Sequence, residues 1–178
     1  MILKNFSKHI LIIDCYSKKK QVEFWKNNMN TASELYINSI NNYCYNKYKF
    51  TILNPCYDDF ELPPLDKLNY DGAIFTGSSY SVYDNHKHID NCKEMFHLLL
   101  QKKISLFGSC FGLQLFINET GGLIAESIKG REIGICRNVL FNKKHYLYKN
   151  KNEFNFFDTI CSHADTIIKI PNEATIIS

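Results

Sequence analysis

What this sequence lacks narrows its chemistry. Its seven cysteines are odd in number, scattered, and include no Cys-x-x-Cys pair. That excludes the regular framework of a disulfide-stapled domain and the paired ligands of a zinc site. No apolar run is long enough to cross a bilayer,. Met1-Ile2-Leu3-Lys4-Asn5 opens without the continuous apolar segment of a secretory signal,. These absences predict a cytoplasmic chain in a reducing compartment, with no membrane partner. The net charge is only +3, too small to predict nucleic acid as a partner,. Neither a P-loop nor the glycine-rich dinucleotide fingerprint occurs, and no cofactor is expected. His86 and His88, two residues apart on a helix, would diverge, and no cluster completes a metal site around them. The short basic run Lys18-Lys19-Lys20 reads as a solvated loop or helix start.

What is present suits a packed core. At 178 residues and 45% apolar composition, the chain is read as one domain over residues 1–178,. Ile10-Leu11-Ile12-Ile13-Asp14 is a short, continuously apolar strand of the kind found in a parallel sheet covered on both faces. Tyr48 to Leu53, Ala73 to Phe75 and Ile104 to Phe107 read as three more strands. Val22, Trp25, Met29, Ala32, Leu35, Tyr36, Ile40 and Tyr43 recur at roughly helical spacing, predicting helix over about 21–43. Residues 88–101 predict another helix, burying Ile89, Cys92, Met95, Phe96, Leu99 and Leu100. Alternating strand and helix predict a doubly wound, mainly parallel α/β sheet. Beyond Gly122 the segments Leu123 to Ile128, Ile133 to Phe141 and Thr166 to Ile170 read as a small, partly antiparallel extension. The run Ala174-Thr175-Ile176-Ile177 reads as β-like.

The most informative stretch is Phe107-Gly108-Ser109-Cys110-Phe111-Gly112-Leu113-Gln114. It follows an apolar strand and precedes a helix, Leu113 to Asn118, closed by Gly121-Gly122. The glycines are expected to let the chain turn sharply. The turn would expose the sulfur at the carboxyl end of a strand, over a helix N-terminus that lowers a thiol pKa and offers N–H groups to an oxyanion. Serine nucleophile elbows use the same mechanics. Open α/β sheets bind ligands outside the carboxyl ends of their strands, so Thr76-Gly77-Ser78 should lie beside Cys110.

These residues resemble the class I glutamine amidotransferases, in particular the GMP-synthase-like subgroup. Asp71-Gly72-Ala73-Ile74-Phe75-Thr76-Gly77-Ser78 resembles that family's strand followed by T-G-S. Gly130-Arg131-Glu132-Ile133-Gly134 resembles its G-x-E-x-G stretch. Ser162-His163-Ala164-Asp165 resembles its S-H-x-D loop. The family's H-P-E motif, which carries its catalytic His and Glu, has no counterpart, and no His-x-Glu occurs anywhere in the chain. The domain is therefore read as C-terminally incomplete.

The resemblance implies a flavodoxin-like fold and hydrolysis of the glutamine side-chain amide. Cys110 would attack the carboxamide, release ammonia and form a γ-glutamyl thioester that water cleaves. The oxyanion would meet the Phe111 N–H and an N–H at Gly77 or Ser78, with Ser78 favoured by the resemblance. Gln114, one helical turn beyond Cys110, would help hold glutamine; without the resemblance it reads equally as a cap or solvated side chain. Glu132 has a structural role or recognises the substrate amine. His163 and Asp165 would line the glutamine pocket, with His163 as a substitute base the rarer alternative. The implied partners are glutamine and an ammonia-accepting synthetase domain or protein. Two other readings stay open: an inactive glutamine- or partner-binding domain, and a Cys hydrolase of γ-glutamyl compounds.

Overall fold

The computed structural model describes residues 7–44, 47–139 and 155–177. The described residues fall into two compact units, one up to Glu119 and one from Thr120.

In the first unit, strands β1 (Lys8–Ile13), β2 (Tyr48–Leu53), β3 (Gly72–Phe75) and β4 (Leu106–Gly108) form one sheet in the order β2-β1-β3-β4. All three pairings are parallel. Helices α1 (Lys18–Lys26), α2 (Ala32–Tyr43), α3 (Lys87–Gln101) and α4 (Phe111–Glu119) lie between and after the strands. Side-chain alternation along a strand assigns them to faces. Phe75 meets Phe116 of α4 edge-on at 5.2 Å, and Phe116 meets Phe96 of α3 at 5.1 Å. On the opposite face, Phe107 of β4 meets Tyr36 of α2 at 6.3 Å. The sheet is thus doubly wound, as expected. Its core is apolar and closed: Leu11, Ile12, Ile13, Phe75, Ile89, Met95, Leu99 and Leu115 are fully buried.

The single helix expected over 21–43 is two helices. Asn27 caps α1, Asn28 takes a left-handed φ of 55°, and Thr31 starts α2. Thr31 Oγ1 accepts from the Glu34 N–H while the Glu34 carboxylate accepts from the Thr31 N–H at 2.7 Å, a reciprocal capping box,. The apparent periodicity runs across this break. Trp25, Met29, Leu35 and Tyr43 are accordingly exposed rather than core. Helix α3 keeps its predicted apolar stripe, apart from Leu100, which is exposed.

The second unit is built from two antiparallel pairs. β5 (Leu123–Glu126) pairs with β8 (Asp165–Lys169), and β6 (Glu132–Val139) pairs with β7 (Phe156–His163). The antiparallel extension is as expected, but β7 was not: the sequence suggested no strand there. The S-H-x-D block is also not a loop. Ser162 and His163 end β7, and Asp165 opens β8 in register with Glu126. The Ala164 carbonyl between them accepts from the Ser127 N–H at 2.9 Å. Ala174 to Ile177 form no strand; the Ala174 N–H turns back to the Pro171 carbonyl at 3.1 Å. The expected strand end at residues 140–141 lies outside the described residues.

Candidate functional site

Strand order β2-β1-β3-β4 reverses direction between β1 and β3. The crevice at such a reversal, outside the carboxyl ends of the strands, is where open α/β sheets take ligands. Three chain segments of the first unit leave the sheet there: residues 14–17 after β1, 76–84 after β3 and 109–110 after β4.

Thr76 knots them together. It is fully buried. Its N–H donates to the Ile13 carbonyl at 3.1 Å, and its hydroxyl accepts from the Cys15 N–H at 2.9 Å. Its carbonyl accepts from the Gly112 N–H at the start of α4, at 3.2 Å. One side chain and its backbone therefore tie β1, β3 and α4 at a single point. The next link is Ser78, whose hydroxyl donates to the Cys15 carbonyl at 2.7 Å and accepts from the Tyr80 N–H at 3.1 Å. The Ser78 side chain is thus spent on holding the loop, and its backbone N–H is the group left to consider as a donor.

Cys110 sits at the turn from β4 into α4 with a φ of 52°, and its side chain is exposed. A left-handed non-glycine residue is strained, costing of order 1–3 kcal/mol. The hydrogen bonds around it enforce the shape. Ser109 N–H donates to the Phe75 carbonyl at 3.0 Å, and Gln114 N–H donates to the Cys110 carbonyl at 3.0 Å. The glycines play a different part from the expected one: the left-handed residue is the cysteine itself. A Cβ on Gly108 would stand 2.5 Å from the Gly112 carbonyl carbon, and one on Gly112 would stand 2.5 Å from the Phe75 carbonyl oxygen. They allow the backbones to touch. The Phe111 N–H, first in α4, has no intrahelical carbonyl to bond,.

Gly77 lies beside this turn. The point its Cβ would occupy is 3.8 Å from the Cys110 Cβ and 3.5 Å from the Tyr16 hydroxyl. The structure therefore brings Gly77 next to Cys110, with Phe111 following it. It also adds Tyr16, which the sequence reading did not single out. Tyr16 follows β1 by three residues, a position with no periodic or motif signal of its own. Gln114 is nearly buried, 9% exposed, so a solvated side chain is excluded.

Of the second unit's candidates, Glu132 and His163 are brought together, Glu132 Oε2 lying 3.3 Å from His163 Nε2. The other ring nitrogen, Nδ1, lies 3.1 Å from the Asp165 carbonyl oxygen. Both nitrogens thus face acceptors within this unit. Glu132 Oε1 also accepts from the Cys136 thiol at 3.1 Å. The Cys136 thiol is pushed up to about 12, first by its hydrogen bond to Cys161 and then by Glu132, and stays protonated at neutral pH. Asp165 is buried, 7% exposed.

His86 and His88 do not diverge as expected: their ring centroids lie 4.3 Å apart with the planes tilted by 50°, because His86 is the N-cap of α3 and not inside it. His88 is buried, with Nδ1 3.3 Å from the Tyr80 hydroxyl and Nε2 3.1 Å from Asp58 Oδ1. Lys18 and Lys19 open α1 and line a cleft of about 360 Å³ with Tyr80 and His88. Among the described residues no group of His, Cys, Asp and Glu is arranged to hold a metal ion, and no helix is long and apolar enough to cross a membrane.

Comparison with known proteins gives the family and the fold. The family described as glutamine amidotransferase class-I matches residues 28–178. The glutamine-hydrolyzing GMP synthase of Borrelia garinii subsp. bavariensis is 36% identical over 111 residues, covering 62% of this chain and 20% of that protein. Gamma-glutamyl peptidase 3 of Arabidopsis thaliana is 28% identical over 120 residues, covering 64% of this chain and 46% of that one. The chain thus spans about a fifth of the length of the GMP synthase it matches. Among solved structures, a glutamine amidotransferase from Thermotoga maritima has a TM-score of 0.66 at 17% identity, covering 96% of this chain and 66% of its own. A glutamine amidotransferase from Methylobacillus flagellatus has a TM-score of 0.62 at 16% identity, covering 96% of this chain and 60% of its own. At such identities these likenesses speak for the fold.

Proposed function

The chain belongs to the class-I glutamine amidotransferase family and is GMP-synthase-like within it, and from that premise we propose that it hydrolyses the side-chain amide of glutamine to glutamate and ammonia. The observation that carries the reading is Cys110, held exposed at a φ of 52° between two glycines whose added Cβ atoms would stand 2.5 Å from backbone atoms. The sulfur attacks the carboxamide carbon, ammonia leaves, and water cleaves the γ-glutamyl thioester. The Phe111 N–H and an N–H at Gly77 or Ser78 receive the oxyanion. Such a donor contributes roughly 10² to 10³ in rate.

Gln114, Glu132, His163 and Asp165 are assigned to holding glutamine. At His163 both ring nitrogens already face protein acceptors, Glu132 Oε2 and the Asp165 carbonyl, and neither is turned free as a base would need,. Residues 1–178 are taken as a single amidotransferase-like domain, and the ammonia as passing to a synthetase domain or protein.

The test is ammonia release from glutamine by the chain beside its Cys110→Ala variant. Cys110-dependent release is the expected result. A rate unchanged by the substitution sinks the proposal.

A further inference from the structure

We infer that the Tyr16 hydroxyl is a side-chain hydrogen-bond donor to the γ-carbonyl oxygen of the substrate at Cys110. The inference rests on the glutaminase reading above and adds a residue to it.

Tyr16 is held where its hydroxyl overhangs Gly77. Its N–H donates to Asp14 Oδ1 at 3.1 Å, and its carbonyl accepts from Gln21 Nε2 at 3.2 Å. Its ring packs edge-on against Phe24 at 5.2 Å. Backbone and ring are therefore both held, which sets the place of the phenolic oxygen,. The space over Gly77 that the hydroxyl borders is the space the Cys110 Cβ borders, at 3.5 Å and 3.8 Å from one common point. On the glutaminase reading, the oxygen of a carbonyl carbon bonded to the Cys110 sulfur is received by the Phe111 N–H and the Gly77-Ser78 loop. A hydroxyl above Gly77 is on that same side. Tyr side chains serve as oxyanion donors because the O–H dipole is set before charge develops.

In the acylation step, a sulfur pair forms the S–C bond while the carbonyl π pair moves onto oxygen. The pair returns, the C–N bond breaks, and nitrogen leaves as ammonia, carrying the proton that began on the thiol. Tyr16 donates a hydrogen bond throughout and keeps its proton.

Two alkylating probes test this, with labelling of Cys110 followed by peptide mass. A γ-chloroketone analogue of glutamine presents a carbonyl oxygen to the donors. Iodoacetamide alkylates by direct displacement at carbon and presents no oxyanion. The expected result is that Tyr16→Phe slows chloroketone labelling by about 10-fold or more, the lower end of what one donor supplies, and leaves iodoacetamide labelling unchanged. Equal chloroketone rates in the two proteins overturn the role of Tyr16 alone. Slowing of both reagents alike overturns it too, since Tyr16 would then act on the thiol or the fold. If the parent chain takes iodoacetamide at Cys110 but not the chloroketone, the glutaminase reading fails and this inference falls with it. An unchanged urea midpoint for Tyr16→Phe accompanies the supporting result.

Discussion

Gly112 rests on Phe75: a Cβ built on the glycine would stand 2.5 Å from the Phe75 carbonyl oxygen and 2.7 Å from the Phe75 Cβ. The first turn of α4 therefore lies directly on the end of β3. Gly108 is equally confined, its Cβ position 2.7 Å from the Leu113 nitrogen. Both obstacles are largely backbone, which cannot swing away. Gly108→Ala and Gly112→Ala should each destabilise the protein by about 1–3 kcal/mol or more, the usual cost of forcing atoms into a filled site. They should also displace Cys110. Urea unfolding measures the first effect, and an unchanged midpoint in either variant contradicts it.

The Cys110 turn was legible in the sequence because Gly-x-Cys-x-Gly is a packing requirement as well as a motif: a Cβ at either glycine would meet backbone at 2.5 Å. The two central strands, β1 and β3, were legible for a similar reason, since a strand covered on both faces reads as a continuous apolar run; the edge strand β2, which carries Lys49 and Thr51, was legible from its β-rich composition and the Asn54-Pro55 that ends it,. Three features were not. The break between α1 and α2 hides beneath a periodicity that continues across it; the visible sign was Thr31-x-x-Glu34, a capping pattern inside a supposed helix,. Strand β7 alternates Phe156, Asp158, Ile160 and Ser162 with Phe157, Thr159, Cys161 and His163, and in a two-stranded ribbon neither series is a buried stripe. Tyr16 was missed because it comes near Gly77 only through the tertiary fold, which no local pattern encodes.

Gly77 is the counter-case to Gly112. A Cβ there would make only ordinary contacts, 3.5 to 4.0 Å from Tyr16 and Cys110. Gly77→Ala should therefore fold with stability close to the parent's. Its methyl would nonetheless fill the space between the Tyr16 hydroxyl and Cys110. Cys110-dependent ammonia release should fall by about 10²-fold, the scale of an ångström's misplacement at a reacting centre. Full activity in a stably folded Gly77→Ala would show that substrate does not use this space.

The capping box makes part of the stability depend on acid. The Glu34 carboxyl is held below its ordinary value of 4.5, first by the hydrogen bond from the Thr31 backbone N–H. A depressed folded value means that the stabilisation is complete above 4.5 and is lost as pH falls through the lowered value,. Glu34→Gln should remove this acid-side loss and be less stable than the parent at neutral pH. Thr31→Ala should cost about 1 kcal/mol at neutral pH, as is typical of a lost N-cap. Urea midpoints of the three proteins between pH 3 and pH 7 check both; parallel curves for parent and Glu34→Gln would remove Glu34 from the account.

Asp14 ends the first strand's apolar run and is fully buried. Its carboxylate is the acceptor for three donors. Oδ1 takes the Tyr16 N–H at 3.1 Å, and Oδ2 takes the Ser33 N–H at 3.2 Å and the Ser33 hydroxyl at 2.8 Å. One side chain thus fixes both Tyr16 at the candidate site and the first turn of α2. Hydrogen bonds to a charged group contribute about 1.5–3 kcal/mol each, and buried donors left unpaired lose that and their desolvation as well. Asp14→Ala should therefore cost about 3 kcal/mol or more. Asp14→Asn should fall between, since an amide offers one acceptor and turns an N–H towards the remaining donors. Ser33→Ala loses the hydroxyl bond alone and should be the mildest of the three. The Asp14→Ala, Ser33→Ala double variant should be less destabilised than the two single losses combined, because both remove the same bond. Additive losses in that cycle would mean that Asp14 stabilises the fold by some route other than its hold on Ser33. Cys110-dependent activity that survives Asp14→Ala under native conditions would separate Tyr16's placement from Asp14 altogether.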